Sequence, residues 1–294
     1  MILVDYSGSM FSALHVELAK NPGTVCGISF LRHCLLNQLR SYSRKFHEEY
    51  GEMTVCLEGG SCWRKDVFPN YKAQRAKSRI DSGLDWEQIF RDMNQITEEL
   101  QEVMPWKFIR VKGLEADDVI AILARNAASL SGSDVFGEPS PVMIVSNDKD
   151  YAQLQEYPWV RQYLPRKGTT VVERKPRAAL LDLIVHGDKA DGIPNINSDI
   201  DTFADGGRQR PVTRELMSDI LARGGKALDE SQKKRFRENE TLISFDKIPE
   251  EYTDKVISAW KECSPSRNRM KLFEYLAKTG LSKQLDRACD FFPS

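Results

Sequence analysis

Seven carboxylates follow four short apolar runs of this chain, and their placement is the first indication of its chemistry. The runs are Ile2–Val4, Met53–Leu57, Phe108–Val111 and Val142–Val145. The carboxylates that follow them are Asp5, Glu58, Glu115, Asp117, Asp118, Asp148 and Asp150. Near-continuous Val, Ile and Leu without polar alternation is typical of strands in a parallel sheet that is covered on both faces.

In a parallel sheet all carboxyl ends meet at one edge, so the sequence predicts that these acids crowd one rim. Crowded carboxylates repel each other and raise each other's pKa unless cations neutralise them. Hard oxygen ligands of this kind select Mg²⁺ or Mn²⁺. Any single acid is more often a helix N-cap or an exposed loop residue, and for Asp118 a role in capping or bracing its turn stays open.

Two cations about 4 Å apart can activate a water, hold a phosphate and stabilise the leaving oxygen of a phosphodiester. Such chemistry needs no Ser/His/Asp arrangement. The histidines are scattered through the chain and are expected to be structural: His15, His33, His47 and His186.

Helical patterns between the apolar runs predict an α/β fold with a mostly parallel central sheet flanked by helices. Apolar residues recur at helical spacing over Ile28–Phe46 and again over Ile89–Leu100. From about residue 177 the pattern changes to helices joined by polar turns.

The composition is that of an ordinary globular protein, with 41% hydrophobic and 29% charged residues and a net charge of −1. No apolar run approaches the roughly 20 residues that cross a bilayer. Six cysteines without a CxxC pair indicate reduced thiols in a cytoplasm. Basic residues cluster in four segments, which form either phosphate-binding surfaces or solvated helix faces: Trp63–Arg79, Arg208–Arg214, Lys233–Arg237 and Arg267–Lys271.

Three motifs in this order carry a family resemblance: Glu115–Asp118 (EADD), Ser146–Asp150 (SNDKD) and His186–Pro194 (HGDKADGIP). Together they resemble the 5′ nuclease (flap endonuclease) family, and within it the T-even bacteriophage ribonuclease H branch. Shorter matches at Trp63–Asp66 and Leu242–Pro249 extend the resemblance over nearly the whole chain.

The resemblance implies a PIN-like nuclease core over residues 1–185 and a helical DNA-binding portion over residues 186–294 with a helix–three-turn–helix-like motif. It also implies two Mg²⁺ ions, for which Mn²⁺ substitutes. The first ion is expected near Asp5, Glu58, Glu115 and Asp117. The second is expected near Asp117, Asp148, Asp150 and Asp191, with Asp188 beside it and Asp118 counted in the metal site. The family usually has aspartate where this chain has Glu58.

The insertion at about residues 59–104 is too long for a plain connection and is a candidate lid or arch at the active-site edge. Its basic residues are expected to contact phosphates. The resemblance assigns nucleic-acid binding to Arg64, Lys65, Tyr71, Lys72, Arg75 and Lys189, and catalysis also to Arg64 and Lys72. The aromatic residues Trp63, Phe68 and Tyr71 either stack on an exposed base or pack the arch against the body.

The resulting hypothesis is a Mg²⁺-dependent 5′→3′ exonuclease and flap endonuclease with ribonuclease H-type activity, which removes RNA primers and flaps during replication. The expected partners are branched or nicked duplex DNA and RNA–DNA hybrids with a 5′ end, a single-stranded-DNA-binding protein and a sliding clamp. A monomer without membrane contact is expected, in the cytoplasm of a bacterial host if a phage encodes the chain.

Two alternatives stay open. Asp5–Ser9 fits the D-x-S-x-S metal motif of von Willebrand factor A binding modules. A catalytically weak relative that only binds branched DNA is the second.

Overall fold

The computed structural model describes residues 1–20, 27–132, 137, 139–204 and 206–292. Its contacts divide the chain into two compact units. Unit 1 comprises Met1–Ser61, Asp85–Val172 and Glu250–Ser294, and unit 2 comprises Cys62–Leu84 and Glu173–Pro249. The functional division of the chain at residues 185 and 186 stays a prediction.

A six-stranded sheet forms the centre of unit 1. Its strands are β1 (Ile2–Asp5), β2 (Met53–Leu57), β3 (Lys107–Arg110), β4 (Val142–Val145), β5 (Val160–Leu164) and β6 (Thr169–Val171). They lie in the order β3-β2-β1-β4-β5-β6, and only β6 is antiparallel to its neighbour. The mostly parallel sheet and its four predicted strands are confirmed. Strands β5 and β6 escape the sequence pattern because they contain polar residues, and β6 also lies at the sheet's edge.

The α-helices are α1 (Tyr6–Lys20), α2 (Ile28–Tyr50), α3 (Arg64–Val67), α4 (Gln74–Asp81), α5 (Trp86–Val103), α6 (Ala116–Arg125), α7 (Ala127–Ser131), α8 (Pro176–His186), α9 (Arg214–Arg223), α10 (Glu230–Ile243), α11 (Glu251–Glu262), α12 (Arg269–Lys278) and α13 (Ser282–Leu285). Short 3₁₀ helices cover Asp150–Glu156, Lys189–Asp191, Gly224–Ala227, Phe245–Lys247 and Ala288–Phe291. Helix α6 packs on β1, β2 and β3, whereas α2 packs on β1 and β4. None of the described helices is both long and apolar enough to cross a membrane.

Unit 2 has a hydrophobic core of its own. Phe68 and Tyr71, from the predicted arch, pack with Ile184, Ile193 and Leu242. The part of the arch insertion that belongs to unit 2 is therefore Cys62–Leu84. Helix α5, which was also assigned to the insertion, belongs to unit 1 because its apolar face is buried there.

Five cysteines in the described part of the chain are not in disulfides: Cys34, Cys56, Cys62, Cys263 and Cys289. A reduced state of the protein stays a prediction. Cys26 lies outside the described residues.

The approach of the β2 and β3 ends depends on Gly59. Its N–H donates to the Leu114 carbonyl at 2.9 Å, and a Cβ there would lie 2.0 Å from the Val111 carbonyl oxygen. Gly59→Ala is therefore expected to reduce the free energy of unfolding by about 1–3 kcal/mol, as other overpacked sites do. Urea unfolding measures the change.

Gly27→Ala is the matched control, because a Cβ at Gly27 meets nothing within 4 Å. Equal stability of the two variants would contradict the assignment of a close backbone contact to Gly59.

Candidate active site

Asp5 ends β1 and is held from two directions. The Gly8 N–H donates to its Oδ1 at 2.8 Å, and the Ser146 hydroxyl donates to its Oδ2 at 3.0 Å. A Cβ on Gly8 would lie 2.4 Å from Oδ2, so the first turn of α1 can approach the carboxylate only with glycine at this position. Asp5 is consequently buried, at 7% exposure.

The loop after β4 carries Asp148 and Asp150 to the same place. The Ser146 hydroxyl that binds Asp5 accepts the Asp148 N–H at 3.2 Å, and Asp148 Oδ1 accepts the Asp150 N–H at 3.0 Å. Asp5 therefore lies beside the Asp148 loop, as the nuclease hypothesis requires. The von Willebrand alternative gives these later acids no role.

A buried amide on β5 fixes this loop. Gln162 Nε2 donates to the Ser146 carbonyl at 3.0 Å and to the Asp148 carbonyl at 2.6 Å, and Gln162 is only 2% exposed. Sequence reasoning missed this residue because β5 itself was not predicted. The available signal was that Gln162 shares a strand face with the apolar residues Val160 and Leu164.

The start of α6 gathers the middle group of acids. Glu115 is the N-cap of the helix, and Asp118 Oδ2 accepts the Glu115 N–H at 3.2 Å. The fully buried Asp118 therefore braces the turn, and its place in the metal site stays a prediction. Glu58, exposed after β2, accepts the Ala116 N–H at 3.4 Å. Carboxylates at this position are stabilised by the positive end of the helix dipole.

Tyr151 connects the acids at the start of α6 to the segment after β4. Its hydroxyl donates to Asp117 Oδ1 at 2.6 Å, and the residue is completely buried. Burial first, and then the charges of Asp117, Asp5 and Asp148, raise the pKa of Tyr151 well above its ordinary value. The hydroxyl therefore stays protonated and donates at neutral pH.

Cys56 at the end of β2 is also affected by the negative charge of the rim carboxylates. Burial raises the pKa of its thiol, with further contributions from Asp5 and Asp117. This thiol is consequently a packed neutral group and not a nucleophile.

Tyr151→Phe is expected to reduce the free energy of unfolding by about 1.5–3 kcal/mol, the range for a hydrogen bond to a charged group. The phenyl ring keeps the packing while the bond to Asp117 is lost. A double-mutant cycle of Tyr151→Phe with Asp117→Asn isolates this bond. A coupling energy below about 0.5 kcal/mol, within the additivity of independent sites, would show that the contact does not orient Asp117.

The remaining question is metal binding. Within the described ranges, no group of three or more His, Cys, Asp or Glu side chains is placed to hold one metal ion. The acids are joined through Ser146, Tyr151 and the amides of α6 instead. The donors at the rim are carboxylate oxygens, a set whose chemistry fits a hard divalent cation.

Asp188 and Asp191 belong to unit 2. Asp188 caps a 3₁₀ turn by accepting the Ala190 N–H at 2.7 Å. Asp191 binds predicted nucleic-acid residues: Arg75 at 2.6 Å, the Tyr71 hydroxyl at 3.1 Å and Lys72 Nζ at 3.4 Å. A metal role for Asp188 and Asp191 stays a prediction.

Lys72 and Arg75 meet at Asp191 in a way that the sequence did not predict. The two residues do not share a helix face, because α4 begins at Gln74. Lys72 lies before it at a φ of 58°, in the left-handed region. Its N–H donates to the Asp191 carbonyl at 2.8 Å, and this contact fixes the unusual backbone. The Gln74 side chain donates to the carbonyl of Lys189, another predicted nucleic-acid residue.

Arg64 is buried at 3% exposure, and its Nε donates to the Leu242 carbonyl at 2.7 Å. Its guanidinium lies 4.6 Å from the centre of the Trp63 ring, whereas Lys65 is exposed. Trp63, Phe68 and Tyr71 are buried as well. Phe68 and Tyr71 pack in the hydrophobic core of unit 2, as the packing alternative expects, and stacking on a base stays a prediction.

Comparison with known proteins covers both halves of the chain. Residues 1–177 match the 5′-3′ exonuclease N-terminal resolvase-like domain. Residues 176–291 match the domain described as T4 RNase H, C terminal.

Curated relatives include Ribonuclease H of Enterobacteria phage T4, which is 29% identical over 98% of this chain and 95% of the relative. DNA polymerase I of Pseudomonas aeruginosa is 28% identical over 67% of this chain, a match that spans 20% of the polymerase. The 5′-3′ exonuclease of Streptomyces coelicolor is 27% identical over 46% of each chain.

Solved structures share the fold. The bacteriophage T5 flap endonuclease, in a pseudo-enzyme–product complex with DNA and metal ions, aligns with a TM-score of 0.62 at 15% identity. The alignment covers 90% of this chain and 98% of that one. A T5 5′-exonuclease with bound zinc aligns with a TM-score of 0.59.

Proposed function

We propose a role for each residue of the site. The premise is that this chain belongs to the 5′-3′ exonuclease family, whose N-terminal domain matches residues 1–177. The chain is a structure-specific 5′ nuclease and a metal-dependent phosphodiesterase. The observation that carries the assignment of its site is a set of hydrogen bonds among the rim residues. The Tyr151 hydroxyl binds Asp117, and the Ser146 hydroxyl binds both Asp5 and the Asp148 N–H.

The cofactor is proposed to be two Mg²⁺ ions at the strand ends of unit 1. Asp5, Glu58, Glu115 and Asp117 would hold one ion, and Asp117, Asp148 and Asp150 would contribute to the other. When bound, such cations supply the positive charge that activates a water and stabilises the leaving oxygen.

The other residues of the rim prepare this carboxylate set. Tyr151 orients Asp117 by donating its hydroxyl proton to Oδ1. Ser146 links Asp5 to the Asp148 loop. The Gln162 side-chain amide holds that loop by donating to the Asp148 carbonyl. These links limit how far Asp5, Asp117 and the Asp148 loop must move when a cation and a phosphate bind.

The proposed substrates are nicked, flapped and RNA-primed duplexes with a 5′ end, acted on in the cytoplasm during replication. A single-stranded-DNA-binding protein and a sliding clamp are proposed as partners of a monomeric enzyme.

The test is cleavage of the three end-labelled duplexes with Mg²⁺, with Mn²⁺ and with a chelator. Metal-dependent product from 5′ ends is expected. DNA binding without product would favour the catalytically weak alternative, and the absence of both would contradict the proposal.

Mg²⁺ is expected to stabilise the fold, because it relieves repulsion among the rim carboxylates and binds only the native state. At 100 times its Kd, a ligand adds about 2.7 kcal/mol to the free energy of unfolding. Melting temperatures in excess chelator and in millimolar Mg²⁺ measure the shift. Asp148→Asn should reduce the shift, while Asp254→Asn on the exposed face of α11 should retain it. An identical melting temperature in both solutions would count against a preformed metal site.

A further inference from the structure

The basic run Lys233–Arg237 borders a cavity in unit 2 that none of the proposed nuclease residues line. The cavity has a volume of about 640 Å³, within the range of ligand pockets. Its apolar lining comes from Leu181, Ile220, Leu228 and Phe236. Ile220 and Leu228 belong to a hydrophobic cluster of unit 2, so this floor is part of a packed core and keeps its shape.

Cationic side chains surround this floor: Arg223, Lys226, Lys233 and Arg237. Two of them bind acids on their own helices, because Arg223 pairs with Asp219 and Lys233 pairs with Glu230. No carboxylate in the described part of the chain lies within ion-pair distance of Lys226 or Arg237. The rim therefore keeps an excess of positive charge.

In the Gly224–Ala227 turn, the two glycines Gly224 and Gly225 line the cavity with backbone atoms only. A Cβ on Gly224 or Gly225 would meet nothing within 4 Å, so the space over this turn is open. The φ of 59° at Gly224 is a conformation that L side chains rarely adopt, and it lets the chain reverse directly after α9. The result is an accessible apolar floor with a basic rim.

We propose that this cavity binds a short acidic segment of a partner protein. A bulky apolar side chain of that segment would occupy the floor, while flanking carboxylates would pair with Lys226 and Arg237. This chemistry satisfies both halves of the surface, since the apolar contact supplies affinity and the charges supply orientation and association rate. A DNA duplex offers phosphates to the rim but no apolar side chain to the floor.

The test uses fluorescence anisotropy of a short fluorescein-labelled peptide, in which aspartates flank a central phenylalanine. We expect saturable binding that weakens as salt increases, because screening reduces the attraction between the charges. Replacing the central phenylalanine with alanine should weaken binding at least about tenfold, the loss expected for one buried aromatic anchor. The double variant Lys226→Glu/Arg237→Glu should also weaken it at least about tenfold.

The charge-matched control is Lys234→Glu/Arg214→Glu, because both positions are exposed and neither lines the cavity. It should bind the peptide as the wild-type protein does. Absence of saturable binding at millimolar peptide, equal losses in both double variants, or full affinity of the alanine peptide would each overturn the proposal. So would a Lys226→Glu/Arg237→Glu variant that loses duplex DNA affinity but keeps its peptide affinity, since the cavity would then be a DNA contact.

Discussion

Asp148→Asn is expected to reduce single-turnover cleavage by at least ~10²–10³-fold, the scale on which loss of one preorganised electrostatic group lowers catalysis. Asparagine keeps an oxygen that can accept the Asp150 N–H, as Asp148 Oδ1 does at 3.0 Å. The loop geometry should therefore persist while the negative charge that would bind a cation is lost. Asp148 is exposed, so the substitution should leave the free energy of unfolding in chelator nearly unchanged.

Binding of the DNA substrate provides the complementary measurement. Affinity for nucleic acid comes mainly from cationic contacts to phosphates, and Asp148→Asn removes none of them. The dissociation constant of a flapped duplex should therefore stay close to the wild-type value, and Asp254→Asn should match the wild type in both assays. Cleavage by Asp148→Asn within threefold of the wild-type rate would show that this acid is not part of the catalytic set.

The positions of β1, β2 and β4 were predictable because each consists mostly of apolar residues, and parallel pairing alone brings their ends to one edge. The acids at those ends could be named for the same reason. Their individual contacts could not. Nothing in the local pattern indicates that Tyr151 donates to Asp117, because that bond joins the start of α6 to the turn after β4.

Unit 2 shows the same limit at its polar residues. The sequence identified Arg64, Lys72 and Arg75 as basic residues suited to phosphate, and each remains a candidate by charge. Yet Arg64 is buried against the Leu242 carbonyl, and the other two bind Asp191. These outcomes depend on which segments pack together, and a basic run carries no information about its partner in space.

The contacts at Asp191 lead to different expectations for Lys72 and Arg75. Lys72 is 13% exposed in its side chain and Arg75 is 46% exposed, so Arg75 is more available to a phosphate from solution. Lys72→Ala is expected to lower the single-turnover rate about 10²-fold, the cost of misplacing a reacting group by about 1 Å. Arg75→Ala is expected to act mainly on the dissociation constant of substrates with free 5′ ends.

Salt separates the two mechanisms. Reducing the salt concentration strengthens the phosphate contacts that remain, so it should restore most of the cleavage lost in Arg75→Ala. It should not restore Lys72→Ala, because positioning acts on the chemical step and not on the amount of bound DNA. Rates at subsaturating and at saturating enzyme, together with dissociation constants, are measured at two salt concentrations. The loss in Arg75→Ala should disappear at saturating enzyme, whereas the loss in Lys72→Ala should persist.

Two controls make the comparison specific to Asp191. Lys278→Ala removes an exposed cation of α12, outside the basic segments, and should leave the cleavage rate near that of the wild type. Asp191→Asn removes the shared carboxylate and keeps both cations, so it tests whether the loss in Lys72→Ala arises from the lysine itself or from disruption of this contact. If Asp191→Asn preserves the rate while Lys72→Ala does not, the lysine acts on the substrate. Wild-type rates and affinities in both Lys72→Ala and Arg75→Ala would mean that these cations only stabilise unit 2.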